Sequence, residues 1–368
     1  MHVLSVSSLK GGVGKTTVAL GVASAATVRG LRTLVVDLDP QCDATTGLGA
    51  IGEFADTCAD VLQSPRHNTV HRAIISSTWG KVLSGQIDVM VGSPRVQIVD
   101  HPNPTVKEMW RLEEALTRVE KDYDLVIIDT PPSVNGLTKT AWVASDRVLI
   151  VTEPSLFSVV AAERSIRAIN DLRKTITRRL RILGVVVNRF KPLNKEHQFR
   201  VNELTEKYRN KVLPQVFEEK STIQQAQGAA RPIHGWSGDT AAKAAAQFDG
   251  ILDYLIEDIK NNPYVELTSA SRWKARRDKK LNRQQRGKGV ESILGEEQDP
   301  FDLLTGEISL PPKAAEAAEQ VDAPATDAPE AIEADQEDVV DETPPTPEEL
   351  FQSLMADREK RSEKDSEA

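Results

Sequence analysis

Short apolar runs alternate along this chain with longer segments in which apolar residues recur at intervals of three and four. The runs are VLSVS (3–7), RTLVVDLD (32–39), IDVMVGS (87–93), LVIIDT (125–130), RVLIVTE (147–153) and RILGVVVNR (181–189). Nearly continuous β-branched runs of this length fit strands buried on both faces, as in a parallel sheet covered by helices. Residues 105–122 and 158–179 place charges between apolar positions at helical spacing, which predicts amphipathic crossover helices. A further helix is predicted over 241–260, stopped by Asn261, Asn262 and Pro263. The pattern therefore predicts an α/β fold over residues 1–262, a mostly parallel twisted sheet flanked by helices, with no internal repeat.

The chemistry is concentrated where these runs end. LKGGVGKTT (9–17) lies between the first strand and a long apolar helical segment. A loop in that position turns backbone N–H groups inward, and the helix N-terminus adds partial positive charge. Gly11, Gly12 and Gly14 would let phosphates approach. Lys15 is placed to reach β- and γ-phosphates and the Thr16 hydroxyl to ligate Mg²⁺, as in P-loop NTPases. Leu9 stands where the common motif has glycine, and Lys10 adds a second lysine, so the loop has the deviant Walker A form. Asp37, Asp39 and Asp129 end two other strands, at the edge where open α/β sheets bind ligands. One carboxylate is needed for the metal and one to orient an attacking water. Asp129 is assigned to the metal and Asp39 to the water.

With KGGVGKTT, VDLDPQCDATTGLG and YDLVIIDTPPSVNGLT, and more weakly with ILGVVVNRF and STIQQAQGAARPI, the chain resembles the ParA/MinD family of deviant Walker A ATPases, and its ParA branch in particular, over about residues 1–260. The resemblance implies an ATP- and Mg²⁺-dependent ATPase that forms a nucleotide-sandwich homodimer. Gly11, Gly12, Val13, Gly14, Lys15, Thr16 and Thr17 would bind the nucleotide. It also implies that Lys10 crosses the dimer to the phosphates of the other subunit, joining Lys15 and Asp39 as a catalytic residue, and that Asn188 contacts adenine. Pro214 and Lys220 depart from the family's usual spacing after the late strand. The implied partners are non-specific DNA and a ParB-like protein that stimulates hydrolysis, in segregation of plasmid or chromosomal DNA by a cytoplasmic, nucleoid-associated protein. The alternatives are a positioning ATPase for a non-DNA protein cargo and a MinD-like spatial regulator.

Charge divides the rest of the chain. Residues 1–262 carry a net +3, residues 263–295 a net +6, and residues 296–368 a net −18. Nine Lys/Arg within 272–288 fit contacts to phosphate backbones through counterion release, without base readout. Within the fold, Arg200, Lys207, Arg209, Lys211, Lys220 and Arg231 are further candidates for DNA contact. The tail has too little apolar surface to offset the entropy of ordering and is expected to be mostly disordered, with a short helix over 346–356 where TPEELFQSL offers a cap and an apolar stripe. Folded back, it would compete with DNA for the basic segment.

Several classes are disfavoured. Cys42 and Cys58 form no disulfide or metal-ligand pattern and no pairing near DTPPS of the kind an iron–sulfur carrier needs. No tyrosine follows Tyr264, against a tyrosine kinase of this fold, and the DREKRSEKDSEA ending is unlike a MinD-type membrane helix. No stretch reaches transmembrane length and the opening residues lack a secretory leader, so no membrane partner is expected. With nothing before the first strand, operator binding by a helix-turn-helix there is not expected.

Overall fold

The structure, a computed structural model, describes residues 1–262. The basic segment 263–295, the tail 296–368 and the expected helix at 346–356 lie outside the described residues. Eight strands form one sheet: β1 (His2–Ser7), β2 (Thr33–Asp37), β3 (Ile74–Ser76), β4 (Ile87–Met90), β5 (Leu125–Asp129), β6 (Arg147–Thr152), β7 (Arg181–Phe190) and β8 (Val212–Glu218). Their order is β3-β4-β2-β5-β1-β6-β7-β8, and every pair is parallel except β3 with β4.

Side chains alternate between two cores because strand residues point to opposite faces. Leu4, Val6, Leu125 and Ile127 pack with the first helix (Lys15–Val28) and the last (Asp239–Asn261). Val3, Val126 and Ile128 face the opposite layer, where helices Cys58–Gln63, Arg111–Leu116 and Gly136–Ala144 lie. Helix Leu156–Thr175 covers β6 and β7 on that side through Ile169 and Leu172. The first and last helices cross so closely at Gly21 that a Cβ there would run into the Phe248 ring. Among the described residues no helix is long and apolar enough to cross a membrane.

All six expected strands form. Two more were not expected, each for a physical reason. β3 has three residues, half-exposed, and pairs only at the sheet edge. β8 contains Pro214, which argues against an inner strand; as the other edge strand, paired only with β7, it tolerates a missing N–H. The segment expected as one helix at 105–122 is two, Val106–Met109 and Arg111–Leu116, interrupted at Trp110. The break serves packing: Met109 and Trp110 join the cluster around Trp142, whereas Leu112, Ala115 and Leu116 join the one beneath β2 and β5.

Register places the chemistry. Asp37 is paired with Asp129 across β2 and β5, and Val6 with Asp129 across β1 and β5. The carboxyl ends of these three central strands are thus level, with the loop after β1 directly above two acids.

Candidate functional site

The loop from Ser8 to Gly14 ends on a left-handed residue: Gly14 has φ 89° and caps the first helix, whose first residue is Lys15. Gly12 is also left-handed, at φ 77°. Glycine adopts this conformation without steric penalty. At Gly14 there is a second requirement, since a Cβ there would collide with the Asn188 carboxamide.

A cavity of about 500 Å³ opens above the loop, lined by Gly11, Gly12, Gly14, Lys15, Thr16, Thr17 and Asp39. Pro40, Gln41, Asp43, Gln97, Asp100, residues 131–133 and Arg189 complete its wall. Lys15 is 6% exposed and Asp39 7%. The Thr16 hydroxyl donates to Asp129 Oδ2 at 2.6 Å, while Asp129 Oδ1 is buried without a hydrogen-bond partner. Asp37 is held by the Thr45 backbone N–H at 2.8 Å and the Thr45 hydroxyl at 2.6 Å. Asp39 donates its N–H to Asp37 Oδ1, and its own Oδ1 accepts from Gln41 N at 3.0 Å.

Four of the expected site residues are elsewhere. Val13 is buried, and its carbonyl accepts from Asn188 Nδ2 at 2.7 Å. In this conformation Asn188 braces the loop from behind and does not line the cavity. Asp129 lies below Thr16. Lys10 points away from its own cavity: Nζ pairs with Glu153 and donates to Ser155 Oγ at 3.3 Å. Three residues were not anticipated. Gln227 exchanges hydrogen bonds with the Thr17 hydroxyl. Glu153 receives Lys10. Arg189, exposed and left-handed at φ 56°, lines both the main cavity and an adjoining hollow of about 240 Å³. Its position beside Asn188, at the same strand end, was the available signal.

Electrostatics set this cluster apart. Burial raises the Asp129 carboxyl to about 8, reinforced by the neighbouring Asp37 charge and opposed by Thr16 and Lys15. Burial likewise raises Asp37 to about 6, against its hydrogen bonds from Thr45. The folded chain therefore keeps protons that the unfolded chain has released, so this pair makes nucleotide-free stability fall as pH rises from about 4 toward about 8. Denaturation midpoints across that window should drop for the wild type and follow a flatter profile in Asp129→Asn, which cannot ionise. Parallel profiles would show that burial does not hold the proton on Asp129.

The donor set is oxygen throughout. Among the described residues no group of three or more His, Cys, Asp or Glu is placed to hold a metal ion by itself. Thr16 beside a buried carboxylate with an unpaired oxygen suits Mg²⁺, which is bound through one or two carboxylates together with substrate phosphates.

The candidate DNA contacts separate by pairing. Arg200 is held by Glu196 and Glu203, Lys207 by Glu163 at 2.7 Å, and Lys220 lies 3.7 Å from Glu218. Lys211 donates to the Ile182 carbonyl at 3.3 Å. Arg209 and Arg231 are exposed without a carboxylate partner among the described residues.

Comparison with known proteins bears on the family and the fold. A family model described as an AAA domain matches residues 1–182. The virulence plasmid ParA family protein pGP5-D of Chlamydia psittaci is 31% identical over 229 residues, covering 61% of this chain and 84% of that protein. The chromosome partitioning protein ParA of Caulobacter vibrioides is 29% identical over 238 residues, covering 63% of this chain and 86% of the relative. Among solved structures, cobyrinic acid a,c-diamide synthase from Mycobacterium smegmatis with bound ATP analogue and magnesium superposes with a TM-score of 0.58 at 22% identity, over 71% of this chain and 96% of that one. That structural likeness is one of fold.

Proposed function

The chain belongs to the ParA family of P-loop ATPases, and from that premise we propose that it is a partition ATPase whose ATP-bound form pairs face to face and holds non-specific DNA until hydrolysis releases it. The observation that carries this reading is the joint placement of Lys15, Thr16 and Asp39 on one cavity above Asp129, with Lys10 outside it. A lysine at the front of the loop that does not reach its own cavity is available to a facing subunit's phosphates.

In this reading the backbone N–H groups of residues 11–16 and the Lys15 ammonium bind the ATP phosphates. Thr16 and Asp129 hold Mg²⁺, which when bound neutralises charge on the phosphate oxygens. Asp39, fixed by Gln41 and Asp37, orients the attacking water and takes its proton. Asn188 holds Val13 just before the loop ends and Gln227 holds Thr17 in the first turn of the helix, so the donors are positioned before ATP arrives. Lys10 from the facing subunit completes the charge neutralisation, which makes pairing dependent on the nucleotide. A ParB-like partner would accelerate turnover. Residues 1–262 are the ATPase unit; with Arg200, Lys207 and Lys220 paired to carboxylates, DNA contact falls to Arg209, Arg231 and the basic segment 263–295.

Binding to sequence-unrelated duplex DNA, measured with ATP, ADP and no nucleotide across a salt series, tests the proposal. The wild type should bind tightly only with ATP and weaken steeply with salt, because phosphate contacts release counterions. Lys10→Ala should still bind ATP but lose DNA binding with pairing. Equal DNA binding in all nucleotide states would reduce the basic segment to a simple anchor. No DNA binding with ATP-driven pairing intact would move the cargo from DNA to protein.

A further inference from the structure

Lys10 has a partner already. Its ammonium is seated on the Glu153 carboxylate at the end of β6, with the Ser155 hydroxyl as a second acceptor. The receptor is itself organised: Ser158 Oγ lies 3.4 Å from the same Glu153 oxygen, and Ser155 Oγ donates to Ser158 Oγ at 2.9 Å. Ser155 stands at the N-cap position of helix Leu156–Thr175 and Ser158 lies in its first turn, so the Ser158 contact holds Glu153 against the start of a twenty-residue helix. The pair is only partly exposed, 35% for Lys10 and 21% for Glu153. Arg189 and Lys191 face the same hollow, yet Lys191 is engaged by Glu219 at 3.1 Å, and Glu153 takes the lysine from the phosphate loop.

We propose that Glu153, seated by Ser155 and Ser158, is a positioning residue that holds Lys10 within its own subunit and thereby sets the threshold for nucleotide-driven pairing. A lysine needed by a facing subunit's phosphates must first leave this carboxylate. Polyphosphate charge brought by the partner competes with Glu153 for one ammonium, and a subunit facing no nucleotide leaves the contact closed. The exposed Leu156 and Phe157, at 47% and 78%, follow Ser155 directly, so the release point adjoins an apolar rim on the nucleotide side of the sheet.

The consequence for pairing rests on the proposed function; the contact itself does not, and two measurements separate them. In the nucleotide-free monomer, acylation of the Lys10 amine by an activated ester, followed by peptide mass spectrometry, should be about two- to fivefold faster in Glu153→Gln than in the wild type, the range for a part-exposed ion pair. Glu153→Asp, which keeps the charge, should restore slow labelling in part. Because two such contacts open per pair, the apparent dimer Kd with ATP should fall about four- to twenty-fivefold in Glu153→Gln. Glutamine is nearly isosteric, and matching melting curves confirm that the variant is folded. Equal Lys10 labelling in wild type and Glu153→Gln overturns the proposal. So does weaker pairing in Glu153→Gln, which would make Glu153 a support of the assembled dimer. Faster labelling with no ATP-driven pairing in either protein would leave the contact standing and sink the sandwich reading instead.

Discussion

Lys15→Ala protein is expected to fold normally and to bind ATP at least about a hundredfold more weakly, with no measurable turnover, because removing one partner of a desolvated charge contact has an effect of that order. Lys15 is the first residue of its helix and is almost fully enclosed while lining the cavity. Alanine is favourable there for the helix, so the loss falls on the ligand. Its charge also acts on Asp129, and it lines the cavity together with Asp39, so without it an incoming polyphosphate meets the Asp39 carboxylate with less opposing charge. Titration with a fluorescent ATP analogue measures the affinity directly. Thermal denaturation gives an independent reading, since a ligand that binds only the folded state raises the midpoint. The wild-type midpoint should rise with ATP and the variant's should not. Undiminished affinity in a folded variant would mean that the backbone N–H groups alone hold the phosphates.

The legible and illegible parts of this site divide by sequence distance. The loop, its helix and the acids at strand ends follow from local pattern: a strand that stops, glycines that turn, a lysine and threonine at the helix start. The register confirms that reading by placing Asp37 and Asp129 side by side. The supports of the loop come from far away. Glu153 is 143 residues from Lys10, Asn188 is 175 from Val13, and Gln227 is 210 from Thr17. Those contacts depend on the sheet order that sets β6 beside β1 and β7 beside β6, and on the helix Ser221–Gly228 that follows β8, and no local periodicity specifies them. The resemblance implies an adenine contact for Asn188, whose amide can donate and accept, but whether that amide meets a base or a backbone carbonyl is decided by the close approach of β7 to Gly14. β8 was obscured for a different reason: Pro214 argues against a strand unless the strand is known to be at an edge.

Asp39→Ala should separate turnover from binding. The carboxylate stands at the cavity wall immediately beyond β2, in a turn held by backbone contacts that alanine keeps: Cys42 N–H to the Asp39 carbonyl at 2.9 Å, and the Asp39 N–H to Asp37. Among the described residues the hydrogen bond lost is the one from Gln41 to the carboxylate, so the Lys15 and Thr16 geometry should persist and ATP affinity should change little. Removing a group that orients water and accepts its proton lowers turnover by about 10²- to 10⁴-fold. An ATP-loaded pair that cannot hydrolyse should then stay assembled, and DNA held by it should dissociate far more slowly after an ADP chase than from the wild type. Asp39→Asn distinguishes the two parts of the role. Asparagine keeps a hydrogen-bonding oxygen but cannot accept the proton, so activity as low as alanine's assigns Asp39 as the base, and substantial recovery assigns it to orientation. Full turnover in Asp39→Ala would remove it from the chemistry and leave Asp37 and Asp129, both below the cavity floor, as the remaining carboxylates. Their burial makes that alternative testable too: a base enclosed at those positions would give turnover that rises through the range where the pair loses its protons.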